Sequence, residues 1–311
     1  MDKVVETAED IRSMRVRGAG RIARHAARAL GDLARERENL DLEELRDELI
    51  RARDILLRSR PTAVSLWNGV QAVMRGEGEA LTSGELRERI IENADAFVER
   101  SERATRSIGE IGSRRINDGD RILTHCNSSV ALSVIKTAFE QGKDIEVIAT
   151  ESRPWKQGLI TSRELSEVGV PVTLIVDSAV RWAMKDIDMV LVGADTISSN
   201  GAVINKIGTS QIALVAQEAR VPFVVCAETY KFSPRTLSGE PVEIEERDPA
   251  EVAGADELPP EVKVLNPVFD ATPPEYIDYI VTEIGLIPPY ASYEVIVRML
   301  GQEYLFEDTD E

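Results

Sequence analysis

The residues of this chain best suited to chemistry are one thiol, Cys126, and one carboxylate, Asp195. Cys126 stands in Arg121-Ile122-Leu123-Thr124-His125-Cys126-Asn127-Ser128-Ser129, where a short apolar run gives way to a helical pattern. That places the thiol at the C-terminal end of a strand, facing a helix N-terminus. The helix dipole and its free amides favour negative charge there. A lowered thiol pKa and a reactive thiolate are therefore expected. Asp188-Met189-Val190-Leu191-Val192-Gly193-Ala194-Asp195 repeats the arrangement, an apolar strand closed by an ionisable residue. Open α/β sheets bind ligands outside the carboxyl ends of their strands. A thiol and a carboxylate facing one such crevice suit proton transfer. The other cysteine, Cys226, lies inside Val221-Pro222-Phe223-Val224-Val225-Cys226-Ala227 and is read as a core residue.

Polar and basic residues gather in five segments at strand ends or turns, with Lys231 a similar case. Arg17-Gly18-Ala19-Gly20 opens a helix, with Arg17 as an anion ligand and glycines that permit close backbone approach. Arg60 sits in the turn Ser59-Arg60-Pro61-Thr62, held by a proline. Ser128 and Ser129 join their hydroxyls to helix amides, a setting for phosphate. Glu151-Ser152-Arg153-Pro154-Trp155-Lys156-Gln157-Gly158 offers Arg153 for an oxyanion and Gln157 for a hydroxyl. Asn205-Lys206-Ile207-Gly208-Thr209 crowds Asn205 and Lys206 into one turn before a helix, and Lys231 stands in Tyr230-Lys231-Phe232. Lysine is scarce here, 8 against 29 arginines, so Lys206 and Lys231 stand out from a surface that uses arginine instead. Together these groups describe a sugar-phosphate site built around one thiol and one carboxylate. No metal is expected, since the two cysteines lack ligand spacing and only His25 and His125 remain. His25 reads as a surface residue. His125 reads as a packing or supporting residue beside Cys126, with a proton relay as the alternative. No Gly-x-Gly-x-x-Gly follows a strand, which argues against a nicotinamide, and no cofactor is expected.

Two kinds of segment must position these groups. Residues 1–115 carry helical periodicity and almost no strand signal, with helices over Glu6–Met14, Ala19–Arg37, Leu42–Arg58, Ser65–Met74 and from Thr82 or Ser83 to about Ile111. Over residues 116–311, apolar runs alternate with helical stretches. The strands are Arg121–Thr124, Ile145–Thr150, Val172–Val176, Met189–Val192, Phe223–Cys226 and Tyr279–Thr282. The fold class is α/β: an N-terminal helical domain, then a Rossmann-like domain with a mostly parallel sheet. Residues 236–262, acidic and proline-rich, read as a surface excursion. The 311 residues carry a net charge of −18, which repels nucleic acid. Acid-rich, lysine-poor composition suggests adaptation to high salt. No apolar run spans a bilayer and the opening residues lack a signal-peptide pattern, so a cytoplasmic protein without membrane contact is expected.

Arg17-Gly18-Ala19-Gly20, Thr124-His125-Cys126-Asn127, Glu151-Ser152-Arg153-Pro154, Gly193-Ala194-Asp195, Asn205-Lys206-Ile207-Gly208-Thr209 and Asn266-Pro267-Val268-Phe269-Asp270-Ala271-Thr272-Pro273-Pro274 occur in one order. That series resembles the family uniting the regulatory subunits of eukaryotic translation initiation factor 2B, methylthioribose-1-phosphate isomerase and archaeal ribose-1,5-bisphosphate isomerase. The resemblance implies a catalytic Cys126 and Asp195, a pair that the regulatory subunits typically lack. Gly20 and Ser128-Ser129 stand where methylthioribose-phosphate isomerases usually carry Pro and Ala-Gly, and the chain's length and the Cys126-Asn127-Ser128-Ser129 segment resemble the bisphosphate group. The implied activity is an aldose–ketose isomerisation of ribose 1,5-bisphosphate to ribulose 1,5-bisphosphate. Methylthioribose-1-phosphate isomerase and a non-catalytic regulatory subunit are the alternatives. The resemblance also implies a place in nucleotide (AMP) salvage, with a nucleoside monophosphate as a possible activator. It further implies a homo-oligomer, a dimer or a trimer of dimers. Asn266–Pro274 and Ile287-Pro288-Pro289-Tyr290 are the segments suited to such an interface, or else to closing the chain's own sheet.

Overall fold

The computed structural model describes residues 1–238, 242–254, 257–259 and 261–300. Parts of the 236–262 excursion, residues 239–241, 255, 256 and 260, lie outside them. The chain divides into two compact units, Met1–Ala104 and Thr105–Glu311. The change from helical to strand periodicity near residue 115 suggests a later boundary. The division instead falls inside a long helix, because Ile108 and Ile111 near its end pack into the hydrophobic core of the second unit.

The first unit is built from α1 (Asp2–Arg12), α2 (Ala19–Glu36), α3 (Leu42–Ser59), α4 (Val64–Met74) and most of α5 (Ser83–Ser113). α2 buries Ile22, Ala23, Ala26, Ala27, Leu30, Leu33 and Ala34 at helical spacing. Each leucine so buried contributes about 1.5–3 kcal/mol relative to exposure. Small residues let the helices approach closely: a Cβ at Gly31 would stand 2.8 Å from Ala94 Cβ. α3 starts at a capping box in which Glu44 N–H donates to Asp41 Oδ1 at 2.9 Å and Asp41 N–H to Glu44 Oε2 at 3.2 Å.

The second unit holds a seven-stranded sheet and a small three-stranded one. Its elements in chain order are β1 (Arg121–Thr124), α6 (Ser129–Glu140), β2 (Glu146–Thr150), α7 (Gln157–Ser166), β3 (Val172–Ile175), α8 (Val180–Ala183), β4 (Met189–Val192), β5 (Thr196–Ile197), β6 (Val203–Lys206), α9 (Thr209–Ala219), β7 (Phe223–Cys226), β8 (Phe269–Thr272), β9 (Tyr279–Thr282), β10 (Gly285–Ile287) and α10 (Ser292–Leu300). The large sheet runs β10-β9-β7-β4-β1-β2-β3 and is parallel except for β10. Two apolar layers cover its faces. One joins Val130, Val134 and Ile135 of α6 to Ile122, Val147 and Val224, and the other joins Ile212 and Ala216 of α9 to Leu123, Val190 and Val225. The strand order reverses between β1 and β4, the position where doubly wound sheets open a crevice.

One feature departs from the sequence reading and two complete it. Asn205 and Lys206 end strand β6 rather than occupy a turn. β6 pairs with β5 and β8 in the antiparallel small sheet, so Phe269–Thr272 of the Asn266–Pro274 segment closes the chain's own structure. The excursion is also anchored: Trp155 Nε1–H donates to Glu251 Oε2 at 2.7 Å, and Asn266 Nδ2–H donates to the same oxygen at 3.1 Å.

Gly158, the second residue of α7, lies hard against the end of β2, where an added Cβ would lie 1.8 Å from the Thr150 carbonyl oxygen. That contact is with rigid backbone, so relief requires moving α7. Gly158→Ala is expected to cost about 2 kcal/mol or more, read as a lowered denaturation midpoint. An unchanged midpoint would show that α7 does not need this approach.

Candidate active site

The site follows from strand order. β1 and β4 pair in parallel with Ile122 opposite Met189 and Leu123 opposite Val190. Their C-terminal ends are therefore neighbours, and Cys126 and Asp195 follow them directly. Gly193 makes the approach tight: a Cβ there would sit 2.3 Å from Ser128 Oγ. β2 and β7 flank the pair, carrying Arg153 and Gln157 on one side and Lys231 on the other.

Cys126 adopts a left-handed backbone, φ 67°, and its peptide groups are clamped on both sides. Its N–H donates to Ser152 Oγ at 2.7 Å, and Thr161 Oγ1–H donates to its carbonyl at 2.7 Å. Ser152, at φ 59°, is held in turn by Asp177, whose carboxylate accepts the Ser152 and Arg153 N–H groups at 2.8 Å each. α6 begins just beyond, with Ser128 as N-cap and the exposed Ser129 as its first residue.

The thiol does not have the lowered pKa expected of it. Burial pushes Cys126 up to about 11; the Lys206 ammonium pulls the other way and the Asp195 carboxylate adds to the rise. Part of the residue surface stays accessible, but enough protein packs around it for desolvation of the thiolate to outweigh the helix terminus. At neutral pH the resting group is the thiol. Cys226 is wholly buried in β7, as its sequence context suggests, and burial raises its pKa too.

Lys206 is buried, with its ammonium 5.2 Å from the centre of the Phe269 ring. Asn205 Nδ2–H donates to Thr209 Oγ1 at 3.0 Å, and Thr209 Oγ1–H to Lys206 O at 2.6 Å. Asp270 on β8 accepts Gly208 N–H at 2.7 Å and Ser210 N–H at 3.1 Å, securing the start of α9. Burial pushes the Asp270 carboxyl up to about 6 against these two donors. Asp195 N–H donates to Ile204 O at 2.9 Å, tying the carboxylate's own loop to β6.

Lys231 is buried and its ammonium lies 2.8 Å from Glu228 Oε2, itself buried. Burial opposes the Glu228 charge, but Lys231 and the Tyr230 hydroxyl outweigh it and hold the carboxyl below its ordinary range. Arg153 is exposed and its guanidinium donates to Val252 O at 3.0 Å. Gln157 Oε1 is buried with no hydrogen-bond partner among the described residues. Arg17, Gly18, Ala19, Gly20 and Arg60 lie in the helical unit. There Ser65 Oγ–H donates to Ala19 O at 3.0 Å, tying the start of α4 to the start of α2. Gly18 precedes α2 at φ 86°, and Arg17 Nε–H donates to Met14 O at 2.7 Å.

Thr150, Ser152, Asp177, Glu228 and Asp270 support the site, yet none stood out in the sequence beyond membership of a quoted motif. Among the described residues no group of three or more His, Cys, Asp and Glu side chains is placed to hold a metal. No described helix is long and apolar enough to cross a membrane.

The pattern of the Initiation factor 2 subunit family matches residues 15–289. The chain belongs to this family. It is 57% identical over 308 residues to the ribose 1,5-bisphosphate isomerase of Archaeoglobus fulgidus, covering 99% of this chain and 97% of that protein. A putative methylthioribose-1-phosphate isomerase of the same organism is more distant, 39% identical over 92% of this chain and 88% of its own length. The fold matches the crystal structure of translation initiation factor eIF-2B from Pyrococcus horikoshii OT3, with TM-score 0.81 and 35% identity. That match covers 93% of this chain and 98% of the other. The family membership read from the motifs and the α/β architecture read from the alternation of strands and helices therefore hold.

The thiol's state is directly testable. In a Cys226→Ser background, alkylation of Cys126 by iodoacetamide should rise with pH to a midpoint near 11. Lys206→Met should move that midpoint higher still. A midpoint below the ordinary cysteine value would contradict the neutral thiol.

Proposed function

We propose that this protein is an aldose–ketose isomerase converting ribose 1,5-bisphosphate to ribulose 1,5-bisphosphate, with Cys126 and Asp195 as its acid–base pair. The observation that carries this reading is the placement of these two groups after adjacent strands β1 and β4, beside a helix N-terminus that bears Ser128 and Ser129. The relationship to the isomerase of Archaeoglobus fulgidus at 57% identity supports the choice of substrate. Ser128 and Ser129 suit a second phosphate better than a methylthio group.

The reaction has a particular difficulty. A phosphorylated C1 oxygen prevents the ring from opening by mutarotation. An acid must protonate the ring oxygen as the bond from C1 breaks. A base then removes the C2 proton to give a phosphoenol; C1 takes a proton and O2 loses one, leaving the ketone. One proton shared between two groups balances these steps. The resting pair holds a thiol and a carboxylate. Moving the Cys126 proton to Asp195 gives a thiolate for C2 and C1 and a carboxylic acid for the ring oxygen and O2. Lys206 lowers the cost of that transfer by favouring the thiolate. Arg153, Asn205, Lys206 and Lys231 would bind the phosphates and hydroxyls. The unpartnered Gln157 Oε1 suits a sugar hydroxyl. Remote phosphate contacts supply binding energy for the strained step. The activity fits nucleotide salvage in the cytoplasm, and a nucleoside monophosphate would be the regulator to try first.

Assay with ribose 1,5-bisphosphate and with methylthioribose 1-phosphate should give turnover of the first. Cys126→Ser and Asp195→Asn should each lower kcat by about 10²-fold or more with little change in KM. Turnover of neither sugar by wild type would favour a non-catalytic subunit, and near-normal kcat in either variant would remove that residue from the chemistry.

We also propose a homo-oligomer, a dimer or a trimer of dimers, adapted to high salt. Ile284, Leu286, Tyr290 and Tyr293 are exposed on and beside the edge strand β10, an apolar and aromatic surface of interface type. The net charge of −18 destabilises a compact chain unless salt screens it. Light scattering across a salt series should give a mass of at least two chains, with Tm rising from about 0.1 to 2 M salt. A monomer mass, or a Tm indifferent to salt, would refute the corresponding half of this reading.

A further inference from the structure

His125 is buried at the end of β1, next to the thiol, and both of its ring nitrogens are engaged. Nε2 lies 2.8 Å from Ile207 O, and Nδ1 lies 2.5 Å from Thr150 Oγ1. A carbonyl only accepts, so Nε2 carries the proton. Burial lowers the His125 pKa; Ile207 O and Asp177 pull upward and Lys206 pushes down. The ring is therefore neutral, and its bare Nδ1 accepts the Thr150 hydroxyl proton. Ser152 Oγ stands 3.3 Å from the same nitrogen and accepts the Cys126 N–H. Asp177 Oδ1 is 4.0 Å from Nδ1, and it holds Ser152 through the backbone. Gly208, at φ 101°, lets the following turn close over the ring: an added Cβ would stand 3.3 Å from His125 Cε1 and Nε2.

One imidazole thus ties three chain segments together: the β1 end that bears Cys126, the β2 end that bears Thr150 and Ser152, and the Ile207-Gly208 turn directly after Lys206. We infer that His125 is a positioning residue that acts as a neutral strut, fixing the Ile207-Gly208 turn that follows Lys206 against the Cys126 loop through its Nε2–H bond to Ile207 O. It neither touches substrate nor relays a proton. A relay would need a titrating ring with one nitrogen facing the reacting atoms, and here both nitrogens are committed to groups that stay in place. The strut matters because Lys206 favours the thiolate only while its ammonium stays close, and a shift of about 1 Å at a reacting group can cost about 10²-fold in rate.

This inference rests on the proposed isomerase chemistry, but its test has a readout that needs no turnover. In a Cys226→Ser background, His125→Gln places an amide N–H where Nε2–H stood, His125→Asn keeps only the Nδ1 side, and His125→Phe keeps neither. For Asn and Phe, kcat should fall about 10- to 100-fold with KM little changed, and iodoacetamide alkylation of Cys126 at fixed pH should slow several-fold as Lys206 draws away. Gln should restore both readings towards wild type. Thr150→Val, which removes only the hydroxyl, should show the same changes in smaller measure and serves if the histidine variants fail to fold. Equal loss in Gln and Asn, or an unchanged alkylation profile in Asn, Phe and Thr150→Val, would overturn the strut. If wild type turns over no sugar phosphate while the alkylation changes appear as stated, the functional reading fails and the strut stands.

Discussion

In a parallel sheet each strand end normally has a helix crossing beside it, and only a reversal of strand order leaves a gap. Here that gap lies between β1 and β4, and the in-register pairing of Ile122 with Met189 and Leu123 with Val190 sets its width. The placement of Cys126 beside the Asp195 loop depends on this pairing. It brings the loops of Cys126 and Asp195 together, and it requires glycine at 193, where Ser128 occupies the space of a side chain. The small sheet then grows from the Asp195 loop through the bond from Asp195 N–H to Ile204 O. Lys206 thereby reaches the crevice from a strand rather than from a loose turn. A one-residue slip of β4 against β1 would turn alternate side chains to opposite faces of the sheet.

Burial and neighbouring charges set the state of Cys126. Desolvation keeps Cys126 neutral, with a pKa near 11, and Lys206 limits that rise. Elsewhere in the second unit charges are matched in place: Lys231 with Glu228, and Asp270 with the amides of Gly208 and Ser210. Buried pairs of this kind contribute little net stability because desolvation consumes most of their attraction. Their value lies in holding charged groups at fixed positions in a low-dielectric setting, where electrostatic effects on a transition state are largest.

Much of this was legible in the sequence, for physical reasons. Strands buried on both faces read as unbroken apolar runs, so Arg121–Thr124, Met189–Val192, Phe223–Cys226 and Tyr279–Thr282 have the same bounds in the sequence reading and in the structure. α9 is equally plain because its apolar residues recur at helical spacing between Gly208 and Arg220. The small sheet was not legible: β5 has two residues, and the polar ends of β6 and β8, Asn205-Lys206 and Asp270, resemble loop sequence. The state of Cys126 was misjudged because strand-end position reveals the helix dipole, whereas burial depends on segments far apart in the chain. The supporting roles of Thr150, Ser152 and Asp177 were hidden for the same reason, since each acts on a residue more than twenty positions away.

The central claim is that Cys126 and Asp195 act as one unit sharing one proton, and a double-variant comparison tests it most directly. The kcat for ribose 1,5-bisphosphate would be measured in Cys126→Ser, in Asp195→Asn and in the two combined. Groups that share one proton path lose their function together, so the account predicts a double variant about as slow as the slower single variant. If the two losses multiply instead, Cys126 and Asp195 act independently and the shared-proton account is wrong.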